Sequence, residues 1–580
     1  MIFMKKIDLY QILQKKAPKL FHSKPSFIAS VILYFLEKIL KIRLINSFLE
    51  RNGHLKGIDF INALFDELNF IYNISEKSKY RIPAEGKVVV VSNHPLGGLD
   101  GLALIKCIYE IRRDVKIVAN DVLSNIENLK DFFLPFDLFN PIGQKDNIKN
   151  IEKALANDEI VIFFPAGEVS RMSWRGIRDG KWKKGAIRFA KYANAPILPA
   201  FVVAKNSVLF YLLSLLWRRV GMFLLPRELF KQKNKTITIK FGDLIPISNL
   251  DKVVNQKLQL NLLKRHVYRV GKGKREIFAT KQAIVHPVPV KLLKQDLNNS
   301  ILLGNTKDGK KIYVCKKDTA PNILREIGRL REITFRKVGE GTGKVLDNDV
   351  YDNHYHHIVL WDEEQLEIIG SYRLGVTSEI IAEHGVMGLY NSSQFIIHED
   401  FDEVLSQSIE LGRSFIQQKY WRSNALDYIW QGIGAFIQKY PDIRYLWGAV
   451  SISNSYSELA KVLIVSYYKK WYQGNEKYAT PINPFVISKL QQQEAEAILT
   501  GKTYEEDFVI LKNTLKNLGF SIPVLYRRYT ELCNYGGAKF VSFSVDEGFM
   551  NAIDGLILLD LHDLRPEYKE RYYFQKSFVN

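Results

Sequence analysis

A chain of 580 residues is longer than one hydrophobic core ordinarily serves, so two large domains are expected. With 47% hydrophobic and 25% charged residues, the composition excludes a disordered, a collagenous or a fully membrane-embedded chain. The three cysteines, Cys107, Cys315 and Cys533, stand far apart without CxxC or Cys/His spacing, which excludes a disulfide framework and a structural zinc and fits a reducing compartment.

The net charge of +20 is regional: residues 1–280 carry 47 Lys+Arg against 25 Asp+Glu, leaving 35 against 37 for the remainder. A field of that sign attracts phospholipid headgroups, nucleic acid or an acidic carrier protein. The basic N-terminus has no continuous apolar run and no small-residue cleavage site, so a cytoplasmic location is expected.

In chain order, no stretch reaches the roughly 18 to 20 uninterrupted apolar residues that span a bilayer. Ser26–Leu44 mixes a wide apolar face with Lys38, Lys41 and Arg43, and the apolar run Val208–Trp217 meets Arg218 and Arg219 before Val220–Pro226 resumes. Both read as interfacial amphipathic helices; two buried core helices are the alternative. Short β-branched runs at Lys87–Ser92, Val115–Val118, Ile160–Phe164, Ile197–Val203 and Thr236–Phe241 alternate with helical stretches and predict an α/β layer. At Ala283–Leu292, Pro287 and Pro289 forbid helix and the basicity stops, so the domains are placed at 1–285 and 286–580. The second half reads as mixed α+β, with strands at Lys311–Cys315, His356–Asp362, Glu367–Leu374 and Arg444–Ser451. Helices are expected over Asn322–Phe335, Phe401–Gln418, Leu426–Lys439 and Ser455–Tyr468.

Chemistry first appears at Ser92–Gly101 (SNHPLGGLDG), where a strand delivers His94 and Asp100 to its carboxyl end, the place active sites favour in α/β layers. An imidazole held by a carboxylate can take the proton of an alcohol attacking a thioester, and Gly97 and Gly98 permit the tight loop between them. A structural turn carrying a surface histidine is the alternative. Downstream, Ile162–Arg171 (IFFPAGEVSR) runs from a strand into a glycine turn, and Arg171–Lys191 sets eight basic residues against the single acid Asp179. Such a turn suits an anionic headgroup or a phosphopantetheine phosphate, and otherwise is a solvated basic face.

These blocks, with Phe139–Lys145 (FNPIGQK) between them and Ala195–Ala200 (APILPA) after, resemble the lysophospholipid (1-acylglycerol-3-phosphate) acyltransferase family. Its NH-to-Asp motif is similar to Asn93, His94 and Asp100, with one extra residue in the spacer. Its FPEG motif is similar to Phe164–Gly167, with Ala166 for the usual Glu and an acid at Glu168. The arginine ending its second motif is replaced by Lys145, and its proline motif matches Pro199. The resemblance implies His94 as base, Asp100 as its partner, and Asn93, Gly97, Gly98, Lys145, Pro165, Gly167, Glu168 and Arg171 as acceptor-site residues.

In the second half, polar clusters interrupt apolar surroundings: Arg329–Arg336, Asp347–Asp352 (DNDVYD), Ile369–Leu374 and Ile409–Phe415. Buried charges require partners, so an internal Arg/Glu ion pair is the structural reading. The order of the blocks resembles the acyl-carrier-protein-dependent N-acyltransferases, including ornithine-lipid and homoserine-lactone synthases, which share a GNAT-like fold. That resemblance implies Glu410 as the base for an incoming amine, Arg373 and Arg413 as substrate organisers, and the Arg331/Phe335 helix closing over the acyl chain. Gln431–Ala435 (QGIGA) fits the pyrophosphate loop of that fold in part, which favours acyl carrier protein over coenzyme A as donor. His354, His356 and His357 fall on both faces of one strand without a cysteine, so no metal is expected.

Together the resemblances imply a bifunctional aminolipid synthase of the ornithine or glycine lipid type. Its C-terminal domain would N-acylate an amino acid with a 3-hydroxyacyl group and its N-terminal domain would O-acylate the product. The expected setting is the cytoplasmic face of a membrane, peripherally, with no bound cofactor, acyl-ACP or acyl-CoA as donor, acyl carrier protein and an anionic surface as partners, a lipid acceptor and no nucleic acid. The alternatives are a lysophosphatidic acid acyltransferase with a degenerate second domain, and a non-enzymatic, hemolysin-like membrane-binding protein.

Overall fold

The structure, a computed structural model, describes residues 27–119, 126–136, 144–173, 176–216 and 224–572. The basic residues before 27, the Phe139–Gly143 part of the second motif, Trp174, Trp217, and Arg218 with Arg219 lie outside the described residues. The chain divides into two compact units, Met1–His286 and Pro287–Asn580, the division falling in the proline-rich segment.

In the first unit, three helices, Phe27–Leu40, Ile42–Asn52 and Gly57–Glu67, precede the sheet. Its elements are β1 (Ile71–Asn73), β2 (Val88–Ser92), α1 (Gly98–Tyr109), β3 (Val115–Ala119), β4 (Phe133–Pro135), α2 (Lys145–Ala156), β5 (Ile160–Phe163), α3 (Gly185–Tyr192), β6 (Ile197–Val203), β7 (Thr236–Phe241) and α4 (Gln256–Gly271). The strands form a seven-stranded sheet in the order β1-β7-β6-β2-β5-β3-β4, parallel except between β6 and β7. A parallel sheet is covered on both faces, and β2 shows why a run of four valines suits its centre. Val88 and Val90 pack with Leu99 and Ala103 of α1 on one face, while Val89 and Val91 pack with Leu155 of α2 and Ala190 of α3 on the other. The expected β-branched runs are the strands of this layer; the short edge strands β1 and β4 carry no such signal.

No described helix is long and apolar enough to cross a membrane. Tyr34, Phe35, Ile39 and Leu44 are exposed, as are Val208, Leu209 and Leu212 of the helix Val208–Leu216, so both amphipathic stretches present apolar side chains outward.

The second unit contains β8 (Ile301–Asn305), β9 (Lys311–Cys315), α5 (Pro321–Val338), β10 (His356–Asp362), β11 (Glu367–Val376), β12 (Ser408–Ile416), α6 (Ala425–Ile437), β13 (Tyr445–Ile452), α7 (Glu458–Trp471), β14 (Ala538–Asp546) and β15 (Ala552–Asp560). They form an eight-stranded sheet in the order β8-β9-β10-β11-β12-β13-β15-β14. Every pairing is antiparallel except β12 with β13, which are joined through α6.

That parallel pair opens the unit. β12 and β13 pair at Ser408–Tyr445, Ile409–Leu446 and Glu410–Trp447, and there the pairing ends. Beyond it β12 stays with β11 as far as Ile416, and β13 stays with β15 as far as Ile452, so the two strands splay apart. Gly448 sits at the fork with φ of 156°, where a Cβ would stand 2.1 Å from the carbonyl oxygen of Leu411. Only glycine allows the strands so close before they part.

The structure corrects two expectations. The helix expected over Phe401–Gln418 gives way to the short helix Asp402–Ser406 followed by strand β12, so Glu410 and Arg413 are strand residues. Ile409, Leu411 and Phe415 are buried on a central strand covered on both faces, and a short apolar run of that kind has no period that separates it from helix. Gln431–Ala435 is no loop: it lies inside α6, where Gly432 and Gly434 are contact points for Ile312, Ile358 and the Tyr572 carbonyl.

Candidate functional site

In the first unit the loop between β2 and α1 is fixed from several sides. The Asn93 side chain donates to the Val202 carbonyl at 2.9 Å and accepts from the Val202 amide at 2.7 Å, tying the loop to β6. The His94 carbonyl accepts from the Ser170 amide at 2.7 Å, bringing the IFFPAGEVSR turn against it. Gly97 adopts φ of 94° and precedes α1, so Asp100 falls in the first turn of that helix, where the helix dipole favours a carboxylate.

His94 Nδ1 then lies 3.1 Å from Asp100 Oδ2. Asp100 is fully buried, and its oxygens also accept from the amides of Leu96 and Gly101, each at 2.9 Å. Phe164 stacks on the imidazole at 4.0 Å between centroids. Burial opposes a charged ring, but the charge and hydrogen bond of Asp100, with the charge of Asp179, outweigh it and hold His94 above its ordinary value. With Nδ1 engaged by Asp100, Nε2 is the nitrogen left to exchange a proton.

Two cavities lie in this part of the unit, and His94 lines the first. One of about 240 Å³ is lined by His94, Gly97, Gly98, Pro165 and Gly167 together with aromatic and aliphatic side chains such as Phe136 and Phe189. An apolar cavity with one imidazole on its wall can hold an alkyl chain with its reactive end at the ring. The other, a cleft of about 790 Å³, is basic: Arg171, Arg178, Lys264, Arg265, Arg269 and Lys272 line it. Asp179 lines the basic cleft and ties it to the histidine, accepting from the His94 amide at 3.2 Å, Ser170 Oγ at 2.5 Å and Trp182 Nε1 at 2.9 Å. Burial raises its carboxyl despite these donors. Lys264 donates to the carbonyls of Asp179 and Gly180 at 2.7 and 2.6 Å, and burial lowers its pKa.

Of the remaining expected residues, Glu168 and Arg171 pair with each other at 3.1 Å on the rim of the basic cleft. Lys145 is exposed at the start of α2 and lines neither cavity. Sequence reasoning named Asp179 only as a lone acid and missed Lys264, Arg265 and Arg269. These follow the first motif by more than 80 residues, and their signal, a cationic stripe along α4, needs the fold to give it a target.

In the second unit the DNDVYD segment is the anchor for all three arginines. Arg331 donates to Asp352 at 2.7 and 3.2 Å and to the Asp347 carbonyl at 2.6 Å. Arg373 donates to Asp349 at 2.6 Å and to Asp352 at 3.1 Å, and Arg413 reaches Asp347 at 3.2 Å. An internal Arg/Glu pair is present at Arg329 and Glu326, 2.7 Å apart, while Arg331, Arg373 and Arg413 pair with aspartates. The flanking arginines hold the Asp352 carboxyl far below the usual carboxylate range against the opposing effect of burial. Arg373 and Arg413 both face the ring of Tyr390, at 4.8 and 5.1 Å.

The resemblance assigns Glu410 the role of base. Here it is 1% exposed, and its carboxylate accepts from Tyr355 Oη, from the Asn391 amide at 2.7 Å, from Asn391 Nδ2 at 2.6 Å and from the Tyr390 amide at 3.3 Å. Burial, the largest influence, raises its carboxyl. A cavity of about 770 Å³ occupies the splay between β12 and β13, lined among others by Phe335, Glu340, Tyr390, Arg413, Ser451 and Asp554. Glu410, Arg331 and Arg373 are not on its wall, whereas Phe335 and Arg413 are.

Among the histidines, His354 Nε2 meets the Gly388 carbonyl at 2.9 Å, and burial pushes His356 and His357 down to about 4 and about 3. Among the described residues no group of side chains could hold a metal ion.

A histidine–carboxylate pair on an apolar cavity in one unit, and parallel strands that splay around a cavity in the other, fit a protein that transfers acyl groups. Known families agree: residues 11–274 match the acyltransferase family, and residues 330–431 match the acetyltransferase (GNAT) domain family. A glycine N(alpha)-acyltransferase of Bacteroides thetaiotaomicron is 35% identical over 264 residues, 43% of this chain and 78% of that protein. A lyso-glycine lipid O-acyltransferase of the same organism is 34% identical over 276 residues, 46% of this chain and 97% of that protein. A solved structure of the 1-acyl-sn-glycerophosphate acyltransferase of Thermotoga maritima covers 42% of this chain and 95% of its own at 16% identity, with a TM-score of 0.25. The chain belongs to the acyltransferases, with an acyltransferase domain and a GNAT domain in one polypeptide.

Proposed function

We propose that the chain is a bifunctional synthase of an aminolipid. The GNAT unit joins a 3-hydroxyacyl group to the α-amine of a small amino acid, glycine or ornithine, and the first unit esterifies the 3-hydroxyl of that product. Relatives named for each step, each matched over less than half of this chain, support the pairing. Each product of the first step carries the alcohol that the second step consumes, so fusion keeps an amphipathic intermediate close to its next enzyme.

The observation that carries the ester-forming half is the His94–Asp100 contact of 3.1 Å on the wall of an apolar cavity. His94 takes the proton of the acceptor hydroxyl as its oxygen attacks the thioester carbonyl; the C–S bond breaks and the thiol leaves with that proton. Asp100 orients the ring and stabilises the imidazolium. The basic cleft receives the anionic part of the donor, a phosphopantetheine arm on acyl carrier protein or on coenzyme A, or the carboxylate of the lipid. The exposed apolar residues of Phe27–Leu40 and Val208–Leu216, with the surrounding basic charge, support docking on the cytoplasmic face of an anionic membrane. In the second unit, Glu410 anchors the Tyr390–Asn391 segment against Arg373 and Arg413, and Phe335 meets the acyl chain.

Lipid mass spectrometry of cells expressing the wild type, His94→Ala and Glu410→Ala tests this. His94→Ala is expected to accumulate monoacylated aminolipid, and Glu410→Ala to make neither lipid. Diacylated product from the His94 variant at wild-type level, or activity only on lysophosphatidic acid, overturns the reading.

A further inference from the structure

The cavity between the splayed strands holds two buried carboxylates that no cation claims. Glu340 follows the left-handed cap of α5 at Gly339, and its amide donates to the Phe335 carbonyl at 2.8 Å, which turns the residue into the cavity mouth beside Phe335. Its carboxylate accepts a hydrogen bond from Ser451 Oγ at 3.1 Å. Ser451 is also the cross-strand partner of Asp554, so β13 and β15 bring the second carboxylate to the same place. Glu340 is 8% and Asp554 5% exposed, and both line the cavity. Among the described residues, neither forms an ion pair, and the hydrogen bond to Glu340 comes from a hydroxyl rather than a cation.

The cations nearby are committed elsewhere. Arg413 pairs with Asp347 and Asp349, Arg336 with Glu332, and Lys337 with Gln418. A buried carboxylate facing empty space, without a cation, is costly for the protein alone and is satisfied by a cationic ligand. The reaction proposed for this unit brings one: at neutral pH an amino acid arrives with its α-amine as an ammonium.

We propose that Glu340 and Asp554 receive the ammonium group of the acceptor amino acid and that Glu340 takes its proton. This deepens the aminolipid reading and rests on it. One ammonium proton passes to the Glu340 carboxylate. The freed lone pair attacks the carbonyl of the acyl thioester, the C–S bond breaks, and the second proton leaves nitrogen for the departing thiolate, giving an amide and a thiol. Glu410 cannot make the same contact, because it is off the cavity wall and its oxygens already accept four donors. Burial supports the assignment by pushing Glu340 up to about 7, where it is matched to a proton on nitrogen; burial, Asp546 and Glu340 also raise the Asp554 carboxyl, against the charge of Arg413.

The test uses the purified full chain with an acyl thioester, glycine and L-ornithine as probes, and reads kcat and KM for the amine separately. Glu340→Gln is expected to lower kcat about 100-fold or more and to remove the limb on which amide formation rises through pH 7. Asp554→Asn is expected to raise KM for the amine about 10-fold, with ester formation by the first unit, measured on a supplied N-(3-hydroxyacyl) amino acid, unchanged in both variants. That pH limb is read against the groups around the two carboxylates: Ser451, Tyr456 and Tyr526 around Glu340, and Asp546, Tyr526 and Arg413 around Asp554. A measurement on the wild type needs no variant to fold: glycolate, which replaces the ammonium of glycine by a hydroxyl, should neither react nor compete. Competition by glycolate as strong as that between amines, or both variants within twofold of wild type, overturns the assignment alone. A wild type that acylates neither amine overturns the aminolipid reading and this assignment with it.

Discussion

The two units solve the problem of placing charge near an acyl chain in opposite ways. In the first, the reactive pair is local: His94 and Asp100 lie six positions apart, the imidazole is on the cavity wall, and the buried carboxylate behind it is satisfied by two backbone amides. In the second, the most prominent charges are assembled from distant segments. Arg331, Arg373 and Arg413 converge on Asp347, Asp349 and Asp352, and the first two arginines never reach the cavity. On the proposed roles, the charge that exchanges protons is kept at a cavity wall, and the charge network among the splayed strands is withdrawn from it. The functional groups of the second unit are then the less conspicuous ones on its wall, Glu340 and Asp554.

This contrast is most directly broken in the first unit. Asp100→Asn should keep the fold of the loop but deprive the imidazolium of its counter-charge, lowering ester formation by about 10⁴-fold. The sign of the pH effect is fixed: Asp100 raises the His94 pKa, and only the neutral ring accepts a proton. The wild type therefore loses activity as pH falls through a value above that of an ordinary histidine, and the variant's limb moves to lower pH. A variant whose limb stays in place would show that Asp100 is merely a helix-start residue.

The second unit should respond differently. Arg331→Ala leaves Asp352 with one arginine fewer in a buried site and is expected to destabilise the unit by about 3–5 kcal/mol. Thermal unfolding would show a lowered Tm and loss of amide formation, with ester formation retained below that transition. A variant with normal Tm and a selective catalytic defect would instead place Arg331 in contact with substrate.

What could be read in advance follows the same division. The strands Ile197–Val203 and Thr236–Phe241, and the His94–Asp100 loop, were legible because their causes are local: β-branched runs for a doubly covered sheet, and a histidine and carboxylate within one glycine turn. Strand β12 was misread as helix because Ile409, Leu411 and Phe415 are buried whatever the period, and because Glu410 and Arg413 interrupt the pattern with charges whose partners lie in DNDVYD and at Tyr355 and Asn391. Glu340 and Asp554 stand 214 positions apart, and only the pairing of Ser451 with Asp554 makes them neighbours. No window of sequence contains that fact. The same holds for Asp179 and Lys264, which meet where α4 brings the lysine to the Asp179 carbonyl.

The smallest expected effect isolates loop geometry from chemistry. Gly97 has φ of 94°, and a Cβ there would come within 3.2 Å of Leu225 and 3.4 Å of Val169. Gly97→Ala therefore strains the turn that sets the spacing between His94 and Asp100, by about 1 kcal/mol or somewhat more. If that turn serves only to present the ring, ester formation should fall roughly tenfold with the pH limb unmoved, since Asp100 still faces the imidazole. A shift of the limb would mean that the turn also governs the carboxylate contact. Amide formation, whose residues lie wholly in the other unit, should not change in either case.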